Sequence, residues 1–395
     1  MSGSLSNIYN NAIFALRLHT EALSRLQEQT TTGSCVNRVS DEPSTAYQIL
    51  GLTSQQSTLE NYIDNLSSVM TTLELSSTVF GDMMSVLSEA KTQLTQIASG
   101  IYDENGQQRA AEAINEALEQ IVMLANTESV DQYLFGGSNT SSAPYVVERT
   151  DGEITSVTYQ GSSGGRSVEV ASNVQVCAFY AGDSIFSSGD RSAPVFLGGT
   201  GAKAGNGTSN VTGDVWLTVI HDGSNYKLSI DDGASYVTVP DGGDANLAVT
   251  DSRTGKVLYV DTTELSDTGV ELVRVPGTYD IFNSLISIRD MLNNEMGLSG
   301  EQLQNVLISS LDSLEETMNL LTQDQTCIGA KISFLDNLQE TLTDMSYNAE
   351  DEVTRLQEAD ITQVAIDLSR YEVLYQMSLS VAASLLSMSL MDFID

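Results

Sequence analysis

Few residues in this chain could carry out bond-making chemistry. There are two histidines, His19 and His221, and three cysteines, Cys35, Cys177 and Cys327, all far apart in sequence. No HExxH, CxxC or ligand cluster joins them, so a zinc site and a disulfide framework both lack their spacing. Asp231-Asp-Gly233 and Asp241-Gly-Gly-Asp244 invite a calcium reading. They lack the alternate-residue spacing that puts several oxygens around one ion, and read instead as Asp-Gly turns between strands. Gly199-Thr-Gly201-Ala-Lys-Ala-Gly205 has the wrong spacing for a dinucleotide loop, and no Lys-Ser/Thr pair follows it. The many serines and threonines offer no nucleophile beside a base. The expectation is therefore no catalytic residue, no metal, no cofactor and no enzyme.

What remains is chemistry of association. Near the C-terminus, Ile361, Val364, Leu368, Tyr371, Tyr375, Ala382 and Leu385 recur in steps of three and four, with a gap at Ser378. That spacing makes an apolar stripe on a helix. The helix is expected over the last forty-five residues, with Glu350, Asp351, Glu352, Glu358 and Asp360 crowding its start. No charge occurs from Val373 to Met391, and Leu374, Val381, Leu386, Met388 and Leu390 form a second row. Near the N-terminus, Ile8, Ala12, Ala15, His19, Ala22 and Leu26 repeat the device, so two apolar end helices can pair side by side or antiparallel. A membrane span is one alternative for the C-terminal run, but five serines dilute it and no Lys or Arg follows it. A terminal helix packed on its own domain is another. Two apolar rows exceed what one partner helix covers, which favours assembly with other copies.

Composition agrees with an association role. Of 395 residues, Lys plus Arg number 17 and Asp plus Glu 53, for a net charge of −36. Such a balance repels nucleic acid and anionic lipid. The first ten residues carry no basic segment followed by an apolar core, so no cleaved secretory signal is expected.

The elements between the ends are long. The first helix is expected from Leu5 to about Gln29, stopped by Thr30-Thr-Thr-Gly33 with Gly as C-cap. Ser34 to Pro43 reads as an extended link. Leu59, Tyr62, Leu66, Val69, Leu73, Ser76, Phe80, Met83, Leu87, Ala90, Leu94 and Ile97 then alternate steps of three and four, stopping at Gly100. A return helix is expected over about 107–128. In the second half Leu307, Leu314, Leu321, Ile328, Leu335 and Leu342 lie seven apart, a seam expected to pack on the first. Between the halves the period changes to strands: Tyr145–Glu148, Ile154–Tyr159 and Ser167–Val170, then Val215–Ile220, Lys227–Ile230, Tyr236–Val239 and Val257–Val260. Helix resumes at Tyr279. The expected plan is nested. Terminal assembly helices (1–40 with 350–395) enclose a helical bundle with β-hairpins (41–186 with 276–349), which encloses an inserted β-rich surface domain (187–275).

Several segments resemble the bacterial flagellin family, and within it the hook-associated proteins of the hook–filament junction. They are Ala22-Leu-Ser-Arg-Leu-Gln-Glu-Gln-Thr-Thr-Thr-Gly33, Val36-Asn-Arg-Val-Ser-Asp-Glu-Pro43, Tyr133-Leu-Phe-Gly-Gly137, Tyr159-Gln-Gly161, Gly182-Asp-Ser-Ile-Phe186, Ile328-Gly-Ala-Lys331 and Tyr375-Gln-Met-Ser-Leu379. Val39 stands where the family usually has Pro, Glu42 where it has Asp, and 187–275 has no counterpart. The resemblance implies an α+β, elongated, flagellin-like fold with coiled-coil-like helices from both ends. It implies a secreted structural subunit of the flagellum that joins hook to filament as a ring of copies. Its implied partners are the hook-side junction protein, flagellin and an export chaperone on the C-terminal helix, with neither nucleic acid nor membrane. It implies type III export without a cleaved signal. A flagellin filament subunit, or a non-flagellar surface adhesin, are the alternative readings. Ile8, Ala12, Ala15, Leu26, Ile361, Val364, Leu368, Tyr371, Tyr375, Ala382 and Leu385 are the expected assembly residues. In isolation the end helices are expected to bury little and fray, becoming ordered only in the ring.

Overall fold

The computed structural model describes the backbone of residues 2–99 and 104–394, and the side chains of 10–99 and 105–384. Three helices come first: α1 (Ser2–Thr32), α2 (Pro43–Ala98) and α3 (Glu104–Ala125). Three antiparallel hairpins follow: β1 (Glu128–Ser129) with β2 (Gln132–Tyr133), β3 (Tyr145–Thr150) with β4 (Glu153–Tyr159), and β5 (Arg166–Ala171) with β6 (Val174–Phe179). A single turn, α4 (Gly182–Ile185), leads into β7 (Val195–Phe196), β8 (Lys203–Ala204), β9 (Gly213–His221), β10 (Tyr226–Ser229), β11 (Val237–Thr238), β12 (Leu247–Thr250), β13 (Val257–Asp261) and β14 (Gly269–Val275). The chain ends with α5 (Ile281–Leu292), α6 (Gly300–Gln357) and α7 (Ile361–Ile394). The fold class is α+β. The stop expected at Gly100 lies outside the described residues.

The chain divides into two compact units, one of Met1–Asp64 with Leu338–Asp395 and one of Asn65–Asn337. The boundary falls inside α2 and α6, each of which contributes to both.

In the second unit the two long helices run antiparallel. Gln304 Nε2 donates to the Ala98 carbonyl at 3.1 Å, Lys91 pairs with Glu315 at 3.0 Å, and Gln325 Nε2 donates to the Ser77 carbonyl at 3.3 Å. The α2 seam is buried from Leu66 through Leu73, Phe80, Met83, Leu87 and Leu94. Its counterpart on α6 is buried at Leu307, Leu314, Leu321, Ile328 and Leu335. Regular three-four spacing keeps each seam facing its partner over many turns, as in a coiled coil. An aromatic cluster fixes the hairpins to this bundle. Phe135 lies 5.5 Å from Phe80 and 5.0 Å from Phe186, and Tyr145 lies 4.6 Å from Phe282, between ring centroids. Phe135 belongs to the Tyr133–Gly137 segment. There Gly137 has φ +65°, and a Cβ would strike the Ser162 carbonyl oxygen, so only glycine fits.

The inserted strands form a five-stranded antiparallel sheet in the order β11-β10-β9-β14-β7 and a three-stranded sheet β12-β13-β8. Their own core holds Leu217, Val219, Leu228, Leu258, Val260 and Val273. Strand β14 was not among the strands expected from the sequence, because Glu271 and Arg274 break its apolar run; both are buried. Arg274 is paired across the sheet with Asp214, Nε to Oδ1 at 2.8 Å and Nη2 to Oδ2 at 2.9 Å. Its other nitrogens reach Ser309 and Ser310 of α6, and Tyr279 and Ser287 also donate to Asp214. Asp231 sits in a turn and accepts from the Ser229, Ser235 and Ser252 hydroxyls and from the Ser235 and Ser252 amides. The hydroxyl donors Ser235 and Ser252 hold its carboxyl far below the usual carboxylate range. Its oxygens are thus fully engaged by protein donors.

On α6, Asp324 has a buried Oδ2 with no protein hydrogen-bond partner. Burial pushes its carboxyl up to about 6, although Lys331 pulls it the other way. The folded pKa lies above the unfolded value near 3.9, so the native state holds this proton more tightly. The group therefore costs nothing well below pH 4, where both states are protonated, and its penalty grows from about pH 4 to pH 6 and is complete above that. Asp324→Asn is expected to be more stable than wild type at pH 7.5, by about 1 kcal/mol after discounting for partial exposure, and to lose most of that advantage at pH 4. Urea unfolding at the two pH values checks this.

Candidate functional site

In the first unit, α1 and α7 lie antiparallel. Three contacts in succession show the register: Leu26 packs on Val364, His19 stands 6.0 Å from Tyr371 between ring centroids, and Ala12 and Ala15 face Leu374, Met377 and Val381. The small side chains at 12 and 15 leave a groove of about 190 Å³ between the helices.

The pair is tied at one end by its turns. The hydroxyls of Thr30, Thr31 and Thr32 donate back to the Leu26, Gln27 and Glu28 carbonyls, and Gly33 at φ +71° closes α1. The next residues were expected to form an extended link, and they pair with the turn before α7. Cys35 N donates to the Gln357 carbonyl at 2.7 Å and Ala359 N to the Gly33 carbonyl at 2.9 Å, around a Ser34–Glu358 bridge. The Cys35 thiol donates to the Leu356 carbonyl.

This turn corrects one expectation. A single terminal helix starting near Asp351 is not formed. α6 runs on to Gln357 and α7 begins at Ile361, so Glu350, Asp351 and Glu352 lie near a helix C-terminus rather than an N-terminus. Only Asp360 serves α7, its Oδ1 accepting from the Thr362 and Gln363 amides at 2.9 and 3.1 Å. Asp360→Ala removes that cap. The expected loss is about 1 kcal/mol, read as faster amide hydrogen exchange in the first turn of α7.

The structure brings many of the expected residues to the α1–α7 contact. Leu26 and Val364 are buried and form a small core with Ala359, against which Leu368 and Tyr371 pack. Ala12, Ala15, Tyr375 and Ala382 are half-buried. Ile361, in the first turn of α7, is 48% exposed. Ile8 and Leu385 are on helical backbone, with side chains outside the described residues. His19 is half-buried, and its Nδ1 is enclosed without a protein partner.

The outer faces carry the residues that the seam reading passed over. Phe14 is 67% exposed and Leu18 50% on α1, and Ile366 is 58% and Val373 55% exposed on α7; Met377 and Val381, the latter already in the second apolar row, line the groove and are 61% and 56% exposed. Their i, i+4 spacing, 14 with 18 and 373 with 377, was the available signal. Each helix covers one face of the other and leaves a second apolar face in water. Isolated exposed apolar residues are ordinary; here they recur along both helices. Among the described residues no helix is long and apolar enough to cross a membrane. Among them, too, no group of three or more His, Cys, Asp or Glu is placed to hold a metal ion.

Residues 5–140 match the bacterial flagellin N-terminal helical region. No curated protein matches the chain by sequence. Solved structures do match. Flagellar hook associated protein-3 from Legionella pneumophila aligns at 17% identity and TM-score 0.54, covering 78% of this chain and 98% of that one. FlgL from Xanthomonas campestris aligns at 18% identity and TM-score 0.52, covering 76% and 98%. The flagellar junction protein FlgL from Legionella pneumophila aligns at 19% identity and TM-score 0.51, covering 78% and 99%. These chains are matched almost end to end, while about a fifth of the present chain lies beyond them. Its first third is thus similar to the flagellin N-terminal helical region, and its fold is similar to that of the flagellar hook-associated and junction proteins.

Proposed function

We propose that this chain is a structural subunit of the bacterial flagellum that joins the hook to the filament. The observation that carries the reading is the α1–α7 pair, which leaves apolar faces uncovered on both helices of a flagellin-like chain. Copies of the chain form a ring in which those faces meet neighbouring α1–α7 pairs. Burial there contributes roughly 25 cal/mol per Å² of apolar area. Ile8, Ala12, Ala15, Leu26, Ile361, Val364, Leu368, Tyr371, Tyr375, Ala382 and Leu385 hold the pair or extend its contacts. The hook-side junction protein lies on one side of the ring and flagellin on the other. Before export a chaperone covers the apolar α7. The long seams of α2 and α6 hold the subunit's shape, and 187–275 is an inserted surface domain.

Deletion of the gene followed by electron microscopy tests the reading. The expected cells carry hooks without filaments and shed flagellin into the medium. Normal filaments on the deletion strain overturn it. Purified chain that polymerises alone into long filaments favours the filament-subunit reading instead.

A further inference from the structure

The only tryptophan of the chain, Trp216, is absent from the core of its own sheet. Along β9, Leu217 and Val219 enter that core, while Trp216 shares the opposite face with Asp214. It is half-buried and lines two hollows. The first, of about 340 Å³, is also framed by Asp232, Arg253, Lys256, Asn283 and Asp290. The second, of about 200 Å³, shares Trp216, Asp232 and Asp290 and continues to Asn294 and Glu295. Together they make one groove between the inserted strands and α5, within the size range of small-ligand sites.

The lining selects a chemistry. Trp216 borders the open space of both hollows. Beside it stands an Asp232–Arg253 pair at 3.2 Å, with the two side chains 58% and 64% exposed. A paired carboxylate and guanidinium present a plane of acceptors and donors. Lys256 Nζ donates to the Thr212 hydroxyl at 2.8 Å, and Asn283 is exposed at the start of α5. An aromatic platform flanked by planar hydrogen-bonding groups suits a pyranose ring, whose C–H face stacks while its hydroxyls bond sideways. Phosphate and acidic sugars are disfavoured, because Asp232, Asp251, Asp290 and Glu295 outnumber Arg253 and Lys256. We propose that this groove binds an uncharged or amino-sugar oligosaccharide, with Trp216 as the stacking platform and Asp232 and Arg253 as the hydroxyl-reading pair. The site uses residues that play no part in the assembly reading.

Because Trp216 is the sole tryptophan, its fluorescence reports on the groove without labelling. The full chain is titrated with maltohexaose, mannotetraose, a galactotetraose, chitotetraose and chitosan tetramer, and with a heparin hexasaccharide as the anionic probe. The expected result is a saturable change with at least one of the first five and none with heparin. Saturation-transfer NMR with the responding sugar then follows the variants. Trp216→Ala is expected to abolish binding. Arg253→Ala, on an exposed turn where folding is insensitive, is expected to weaken it about tenfold. No saturable change with any of the five, a response to heparin alone, or unaltered binding in the folded variants overturns the proposal. Filament attachment in cells is unaffected by any of these results, so the two readings fail separately.

Discussion

Phe14→Asp is expected to abolish attachment of filaments while leaving the isolated subunit as stable as wild type. The two halves of that result have different causes. In the lone chain Phe14 is two-thirds exposed on α1, so the substitution exchanges one solvated side chain for another. Surface changes of that kind stay within about 0.5 kcal/mol, and Asp and Phe have similar helix propensities. In the proposed ring the same position faces a neighbour. Losing a buried phenyl ring removes about 1–2 kcal/mol per contact, and a carboxylate forced into an apolar interface costs several kcal/mol more. Every copy in a ring carries the defect, so the penalty is repeated around it. Phe14→Leu keeps most of the apolar area and is expected to retain function. Val373→Asp on α7 is expected to behave like Phe14→Asp. The check is complementation of the deletion strain, scored by electron microscopy, with thermal melting of each purified variant. Normal filaments on cells carrying Phe14→Asp, at normal expression, rule out the outer face as the assembly surface.

The long seams were legible because their signal is redundant. From Leu66 to Ile97 and from Leu307 to Leu342, each burial is predicted by several neighbours at heptad spacing. The α6–α7 break was not legible. Glu358-Ala359-Asp360 contains neither Gly nor Pro, and the turn is held from outside, by the Gly33 carbonyl and the Cys35 amide. Short strands such as β7 and β8, two residues each, are below the length at which alternation means anything. β12 has only four residues. The candidate site was half visible. One apolar stripe per end helix gave the residues that pair within the chain, Leu26 and Val364 among them. It missed Phe14, Leu18 and Ile366, which fall outside the apolar rows read from the sequence. Trp216 gave no sequence signal beyond its rarity, since its neighbours in the groove come from α5 and the turns around 232 and 253.

Arg274→Ala is expected to cost about 3–5 kcal/mol, the largest stability loss of any single substitution considered for this chain. The side chains of Arg274 and Asp214 are 6% and 3% exposed, so neither charge is solvated when its partner is removed. Tyr279 and Ser287 would still donate to Asp214, but two hydroxyls do not replace a bidentate guanidinium. The same arginine bonds Ser309 and Ser310, so its loss also releases α6 from β14. A double substitution separates pairing from burial. Asp214→Leu with Arg274→Met leaves no orphaned charge, and is expected to lie within about 2 kcal/mol of wild type although it removes both ions. Urea unfolding followed by Trp216 fluorescence reads the sheet two residues from Asp214. The expected shift of the midpoint for Arg274→Ala is about 1–2 M. A loss under about 1 kcal/mol would mean that the sheet holds to the helices through its apolar contacts alone, and that the ion pair is incidental to the join.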